Sequence, residues 1–147
     1  MNASKVILVL VIIGFVLSGY LTYLHFSPEK FDTSFCNLSH FLSCSTVNKS
    51  SYATFLGIPV ALLGMGWFFL LAILAFEHIP HHRVALFYAS IIGVGFMVYL
   101  TAAEIFIIRA ICVICVVIAV ISLIIFIITL SSFREESIKF VREIQFE

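Results

Sequence analysis

Four long apolar runs without a charged residue constrain this chain more than any other feature of its sequence. They are Val6–Leu24, Ile58–Phe76, Val84–Ala103 and Ala110–Phe133. A helix that crosses the hydrocarbon core of a bilayer needs about 20 consecutive apolar residues, and each run meets that requirement. The chain is 63% hydrophobic and 11% charged, whereas soluble domains are roughly 45–50% apolar and about 25% charged. A soluble globular fold is therefore excluded.

These runs predict one domain, residues 1–147, folded as an all-α four-transmembrane-helix bundle. The predicted helices cover about residues 5–26, 58–76, 83–108 and 110–133. Glycines and other small residues within the first three runs let neighbouring helices approach closely in lipid, so we expect a compact bundle. The tail, residues 134–147, mixes both charges with apolar side chains and predicts a short interfacial helix.

Residues 27–57 form the one long connection between predicted helices. Four apolar side chains recur in it at helical spacing: Phe31, Phe35, Leu38 and Leu42. This spacing predicts a short amphipathic helix that lies on the membrane face. The connection is long enough to act as a lid.

Charge counts exclude one class of partner and predict an orientation. Eight basic residues balance eight acidic ones, so the sequence offers no basic surface for nucleic acid, and membrane lipid is the expected surrounding.

Four crossings place both termini and residues 77–83 on one side. That side carries the larger group of basic residues: Lys5, Arg83, Arg134, Lys139 and Arg142. The positive-inside rule therefore predicts cytoplasmic termini in the cell membrane.

All four cysteines fall on the side opposite the termini in this topology. Cys36 and Cys44 lie in the long connection, and Cys112 and Cys115 lie near the start of the last apolar run. With cytoplasmic termini the thiols lie outside the cytoplasm, where disulfides persist. No metal site is expected, because only His40 lies close to a cysteine in the sequence.

The motif Cys112-Val113-Ile114-Cys115 places two thiols one helical turn apart, on one face and within bridging distance. The start of a helix offers free backbone N–H groups and the positive end of its dipole, and Arg109 precedes it. Both features favour the nucleophilic thiolate, so the motif indicates a reactive redox pair. The alternative is that two small residues merely pack in the helix. The second cysteine pair on the same side favours the redox interpretation.

Cys36 and Cys44 are eight residues apart in the sequence. In a continuous helix this separation is about 12 Å, beyond the roughly 7 Å limit between the Cα atoms of a disulfide. The chain must therefore turn between them if they bond. The pair is either a static brace in an extracytoplasmic loop or a second redox pair.

The combined pattern resembles the vitamin K epoxide reductase family of membrane thiol oxidoreductases over most of the chain. The shared features are Cys36 and Cys44 with seven residues between them, the Ser45–Pro59 segment, and the pair Cys112 and Cys115. The resemblance implies a four-helix bundle around a quinone, such as menaquinone or ubiquinone. It also implies a redox centre at the second pair, and a loop pair that receives electrons from a thioredoxin-like partner.

Two departures separate this chain from animal members of that family, which reduce vitamin K epoxide. Ala119 stands where those members carry a Tyr, and Ala53 stands where they carry an Asn. The Tyr52–Pro59 segment looks more like that of microbial members, which form disulfides in exported proteins. Many of those carry a fused thioredoxin-like domain, and none follows here, so we expect a separate partner that acts in trans.

Several further residues are candidates for contacts with the quinone. The resemblance implies that Ser50 donates a hydrogen bond to a quinone oxygen, and an N-cap role in a short helix is the alternative. Glu104 lies near the end of the third run, where an acid either pairs with Arg109 or carries a quinone proton. Aromatic candidates for the pocket wall, with packing or interface anchoring as the alternative, are Phe55, Trp67 and Tyr99.

We therefore expect a membrane thiol oxidoreductase that supports disulfide formation. Electrons would pass from a thioredoxin-like protein through Cys36/Cys44 and Cys112/Cys115 to a quinone, with Cys115 one turn deeper in the membrane than Cys112. One alternative is a reductase of vitamin K quinone or epoxide. The other is a noncatalytic four-helix assembly protein with a structural loop disulfide, which leaves Cys112 and Cys115 without a role.

Overall fold

The computed structural model describes residues 3–31, 37, 39, 41–75 and 82–145. In chain order its elements are α1 (Ala3–Phe26), α2 (Pro28–Phe31), α3 (Cys44–Asn48), a 3₁₀ turn (Ser51–Ala53), β1 (Thr54–Phe55), β2 (Ile58–Pro59), α4 (Val60–Ala75), α5 (His82–Ala102), a π-helix (Ala103–Ile108) and α6 (Val113–Gln145). The two strands form a single short antiparallel hairpin. Helices dominate the described residues, in agreement with the predicted all-α architecture.

The four long helices form a closed bundle in which each helix contacts two neighbours. Helix α1 packs on α4 and α6, and α5 also packs on α4 and α6. Buried side chains from all four fill the centre: Ile7, Val11, Phe68, Leu71, Leu86, Ile118, Ile121 and Ile125. The outer surface is apolar as well, with exposed side chains such as Val16, Phe69, Ile92 and Val98. A bundle that is apolar on all sides suits lipid rather than water.

Three described helical segments are long and apolar enough to cross a bilayer: Ala3–Phe26, His82–Ile108 and Val113–Glu135. Helix α4 is apolar but has 16 residues, or about 24 Å, which is shorter than a hydrocarbon core of about 30 Å. Ile58 and Pro59 form β2 instead of a first helical turn, and residues 76–81 lie outside the described part. The fourth predicted span, 58–76, stays a prediction.

The last helix differs from the prediction at both ends. It begins at Val113 because Cys112 occupies the position that caps it, and it continues without a break to Gln145. The tail is therefore helical to Gln145, as predicted, but it continues α6 and is not a short helix of its own. No glycine or proline interrupts this stretch, and the Ser131 and Ser137 hydroxyls donate to carbonyls within the helix. The sequence thus offers no signal that would end the helix near Phe133.

The amphipathic helix predicted in the long connection does not extend to Leu42. Helical backbone ends at Phe31 in this part of the described chain, and Leu42 instead forms a parallel β-bridge with Ile111. The other two predicted positions, Phe35 and Leu38, lie outside the described residues.

A pair of backbone hydrogen bonds holds the connection in this extended form. The N–H of Ile111 donates to the carbonyl of Phe41 at 2.8 Å, and the N–H of Ser43 donates to the carbonyl of Ile111 at 3.1 Å. These bonds use backbone groups that a helix would need for its own ladder. Pairing with a distant segment has therefore overridden the local apolar pattern.

Candidate active site

Cys44 enters the site as the first residue of α3, and it is fully buried (0% exposed). The preceding Ser43 caps this helix, because its Oγ accepts a hydrogen bond from the N–H of Thr46 at 3.2 Å. The backbone pairing with Ile111 brings this capped turn against the start of α6. Cys44 is disulfide-bonded, and its predicted partner, Cys36, lies outside the described residues.

The sulfur of Cys112 lies between those of the two other described cysteines, Cys44 and Cys115. Its Sγ is 3.3 Å from Sγ of Cys44 and 2.7 Å from Sγ of Cys115. Cys112 and Cys115 are both free thiols. Because a disulfide bond is about 2.05 Å long, small side-chain rotations bring either neighbour of Cys112 into bonding distance. The fold thus places three of the four predicted redox cysteines together.

The position of Cys112 before α6 also defines its electrostatic surroundings. The N–H of Cys115 donates to Sγ of Cys112 at 3.3 Å, so the sulfur acts as the side-chain cap of α6. The sulfur therefore lies at the N-terminal end of α6, where the helix dipole is positive. Cys112 is 1% exposed, so an attacking group reaches it through its neighbours in the site.

Glu104 reaches the thiols because α5 ends in a π-helix. The carbonyl of Glu104 accepts hydrogen bonds from the N–H groups of Arg109 and Ala110. Arg109 adopts the left-handed conformation (φ 56°) and turns the chain toward α6. The Glu104 carboxylate then accepts a hydrogen bond from the N–H of Cys112 at 3.1 Å and lies on the same cavity wall as Cys115. Arg109 is exposed, so the acid faces the cysteines instead of this cation.

A cavity lies beside the two α6 thiols, between α1, α3, α4 and α5. Most of its wall is apolar. The polar side chains on its wall include Ser18, Asn48, Ser50, Thr101 and Glu104, together with Cys112 and Cys115. Apolar walls with a few convergent polar groups are typical of sites for small organic molecules.

Two of the predicted quinone contacts, Ser50 and Glu104, line this cavity. The Ser50 hydroxyl donates to the carbonyl of Val47 at 2.6 Å. Ser50 does precede the 3₁₀ turn, but its side chain makes no capping hydrogen bond there. The structure therefore gives its hydroxyl a place in the cavity wall and a backbone partner.

The predicted aromatic contacts do not line this cavity. Phe55 lies on β1 and is 55% exposed, and Tyr99 lies on the outer face of α5 and is 56% exposed. Trp67 packs against Gly93, where an added Cβ would lie 2.8 Å from the indole nitrogen. The aromatic side chains of this chain were too numerous for the sequence to distinguish those at a pocket from those facing lipid.

Sequence reasoning missed Asn48, which is buried on the cavity wall. Its Nδ2 donates to the carbonyl of Leu21 at 3.2 Å, and its Oδ1 lies 3.2 Å from Nδ1 of His25. These bonds fix the helix that carries Cys44 to α1. A five-residue helix has no readable periodicity, so no sequence pattern marks this residue.

Comparison with known proteins agrees with this geometry. The model of the vitamin K epoxide reductase family matches residues 5–130, which include all four cysteines and most of the described bundle. No curated protein matches the chain. From this match and the packed thiols beside an apolar cavity, we conclude that the chain belongs to the vitamin K epoxide reductase family of integral membrane thiol–quinone oxidoreductases.

Proposed function

We propose that this protein relays electrons from a separate thioredoxin-like protein to a quinone, and thereby keeps that partner able to form disulfides. The path runs through Cys36 and Cys44 to Cys112 and Cys115. The observation that carries the proposal is the row of three sulfurs, with Cys112 Sγ 3.3 Å from Cys44 Sγ and 2.7 Å from Cys115 Sγ. Thiol–disulfide exchange requires this kind of direct approach between sulfurs.

The relay starts when a thiolate of the reduced partner attacks the disulfide between Cys36 and Cys44. A second exchange oxidises the partner and leaves both loop thiols reduced. The Cys44 thiolate then attacks Cys112, so that the Cys44–Cys112 bond forms, the Cys112–Cys115 bond breaks, and Cys115 leaves as a thiolate. Finally Cys36 attacks Cys44 and releases Cys112. The partner has then delivered two electrons and two protons to the Cys112/Cys115 dithiol.

The contact with Cys112 supports assigning Cys44 as the attacking loop thiol, which spacing in the sequence left open. Cys36 then becomes the residue that meets the partner. Because Cys44 is buried and the preceding Ser43 is hydrogen-bonded to the Ile111 backbone, the proposal requires that Cys36 be the residue that reaches the partner.

The cavity beside Cys115 suits a quinone by the chemistry of its wall. Apolar side chains accommodate a ring and a hydrocarbon tail, and the Ser50 hydroxyl and the Glu104 carboxyl supply polar groups. The Ser50 hydroxyl must turn from the Val47 carbonyl to donate to a quinone oxygen. A bound quinone supplies a two-electron acceptor, which matches the two electrons of one dithiol.

The direct test is quinone reduction by purified protein. We would supply a reduced thioredoxin-like protein and either a ubiquinone or a menaquinone analogue, and measure quinol formation. We expect turnover by the wild type and background rates for Cys115→Ala and Cys36→Ala. Ser122→Ala is the matched control on α6, because its hydroxyl only donates to the Ile118 carbonyl. Equal rates for wild type and Cys115→Ala would contradict the proposal.

A trapping experiment tests the order of exchange. The double variant Cys36→Ala/Cys115→Ala keeps only Cys44 and Cys112, which we expect to cross-link readily under mild oxidation. The double variant Cys44→Ala/Cys115→Ala is the control and should cross-link far more slowly. Mass spectrometry of the linked peptides measures both. Preferential linkage of Cys36 to Cys112 would show that the assigned order is wrong.

A further inference from the structure

We propose that Glu104 is the proton-transfer residue for Cys115, accepting the thiol proton when the dithiol is oxidised and passing it on toward the quinone. This inference rests on the proposed function and adds a residue role to it. An ionisable group inside a membrane helix is costly, so a buried carboxyl there needs a compensating role. Glu104 is 5% exposed within one of the spanning segments.

The backbone geometry directs this carboxyl toward the thiols. In a straight α-helix, Glu104 and Cys112 would lie about 12 Å apart along the axis, since they are eight residues apart. The wide π-helical turn and the left-handed Arg109 instead fold residues 110–112 back beside Glu104. π-Helical turns are frequent at functional sites.

The Glu104 carboxyl has two neighbours among the cysteines: the Cys112 N–H holds it in place, and Cys115 carries the proton that it accepts in our proposal. One oxygen accepts the N–H of Cys112 at 3.1 Å, which holds the acid in place. The carboxyl also lies on the same cavity wall as Cys115 and interacts with its side chain, while the Cys115 thiol donates to Sγ of Cys112 at 2.7 Å. The titratable side chains that face it are Cys112 and Cys115 at the start of α6, with Cys44 of α3 behind Cys112.

Oxidation of the dithiol releases protons, and Glu104 is placed to carry one of them. When the Cys112/Cys115 dithiol is oxidised, two S–H bonds break and one S–S bond forms. Two electrons and two protons go to the quinone, which becomes a quinol. Cys115 is partly buried beside an apolar cavity. A nearby side chain can therefore accept its proton more readily than bulk water can. Glu104 takes the Cys115 proton and, lining the same cavity, returns it at the quinone side.

The variant Glu104→Gln separates proton transfer from structure. The amide oxygen of glutamine still accepts the N–H of Cys112, but glutamine takes up no proton. We expect an unchanged thermal unfolding midpoint and a quinone-dependent oxidation rate at least about 100-fold lower, since general acid–base catalysis contributes about 10²–10⁴-fold. Glu135→Gln, which changes an exposed acid at the far end of α6, is the matched control and should behave as wild type.

A second readout needs no quinone. In the reduced protein we would follow Cys115 alkylation against pH by peptide mass spectrometry. Groups that interact titrate together, and Cys115 interacts with both Cys112 and Glu104, so we expect the alkylation profile of Glu104→Gln to differ from that of the wild type. Redox-difference infrared spectra of the wild type should also show a carboxyl band that changes on oxidation. Because the infrared measurement uses the wild type, it tests the role of Glu104 even if Glu104→Gln fails to fold.

The outcomes distinguish this inference from the proposed function. Wild-type rates and an unchanged alkylation profile in Glu104→Gln, or a carboxyl band that is silent to oxidation, would overturn the role of Glu104 and leave the relay intact. Failure of the wild type to reduce any quinone would overturn the proposed function. The alkylation profile would still measure whether Glu104 and Cys115 share a proton.

Discussion

Cys112 is the residue at which the loop, the last helix and the buried acid meet. Its sulfur contacts Cys44 and Cys115, and its N–H donates to Glu104. Its sulfur also accepts the N–H of Cys115 and so caps α6. One side chain therefore has structural and chemical roles together, and a substitution there would disturb both. Neighbouring residues separate the two roles more cleanly.

Asn48 offers such a separation, because its side-chain hydrogen bonds go to α1 and anchor the helix of Cys44. Replacing Asn48 with Ala removes hydrogen bonds to the Leu21 carbonyl and to His25, and we expect a stability loss of about 1–3 kcal/mol. Cross-linking of Cys44 to Cys112 in the two-cysteine background should slow in parallel. Thermal unfolding in detergent and the cross-linking rate measure the two effects.

The control for Asn48 is Ser51→Ala, an exposed position just beyond α3. It should leave the unfolding midpoint and the cross-linking rate unchanged. An Asn48→Ala variant that cross-links as fast as wild type would show that this anchor does not position Cys44.

Arg109 tests whether charge or conformation matters before α6. Its left-handed backbone costs a non-glycine residue about 1–2 kcal/mol. We expect Arg109→Gly to stay within about 1 kcal/mol of wild type, because relieved strain offsets the greater freedom of the unfolded chain. Arg109→Val should lose about 1–2 kcal/mol, because a β-branched residue fits this conformation poorly.

Both Arg109 variants lack the positive charge, and glycine keeps the backbone conformation, so comparing quinone reduction by Arg109→Gly with that of the wild type isolates the effect of the charge. Full turnover in Arg109→Gly would mean that the helix start and its N–H groups suffice to activate Cys112. Equal losses of stability in the two variants would contradict the conformational explanation.

At the scale of elements, close contact between α1 and α4 depends on one glycine. A Cβ on Gly14 would lie 2.5 Å from ring atoms of Phe68, and this ring is buried at 1% exposure and cannot move aside. We expect Gly14→Ala to lower stability by about 1–3 kcal/mol through overpacking. The unfolding midpoint in detergent provides the measurement.

Gly66 supplies the comparison on α4 itself. No atom lies within 4 Å of a Cβ built at this position, so Gly66→Ala should be neutral or stabilise by up to about 1 kcal/mol through helix propensity. If Gly14→Ala were as stable as Gly66→Ala, the two helices would not be in the contact described.

At the scale of the whole molecule, the bundle has two unlike ends. The thiol cavity lies at one end, and a second, polar cavity at the other is lined by residues that include Ser4, His82, Arg83 and Glu135. Helix α1 connects the two, since Ala3 borders the polar cavity and Leu21 borders the thiol cavity. Arg83, one of the basic residues predicted on the cytoplasmic side, lies at the end of the bundle with the polar cavity.

Single-cysteine labelling tests the predicted orientation. With the four native cysteines replaced by alanine, we would add Ser51→Cys near the thiol cavity or Arg134→Cys near the polar end, both at exposed positions. An impermeant maleimide should label the first in intact cells and the second only after permeabilisation. The reverse pattern would invert the orientation, and equal labelling in intact cells would contradict a membrane-crossing bundle.

The sequence by itself determined the membrane environment and the helical bundle, and it predicted that both cysteine pairs share one side. These properties depend on local composition, because a bilayer requires uninterrupted apolar helices and their number sets the side on which each connection lies. The resemblance to the vitamin K epoxide reductase family, carried by the spacing of the cysteines, is confirmed by the family match over residues 5–130.

Only the tertiary structure decided which groups meet. Cys44 and Cys112 are 68 residues apart and become neighbours through backbone pairing around Ile111, which also replaced the predicted helix at Leu42. A π-helix and one left-handed residue turned Glu104 toward the thiols. These contacts depend on where the chain returns in space, and a local pattern of side chains contains no information about a partner so far along the chain.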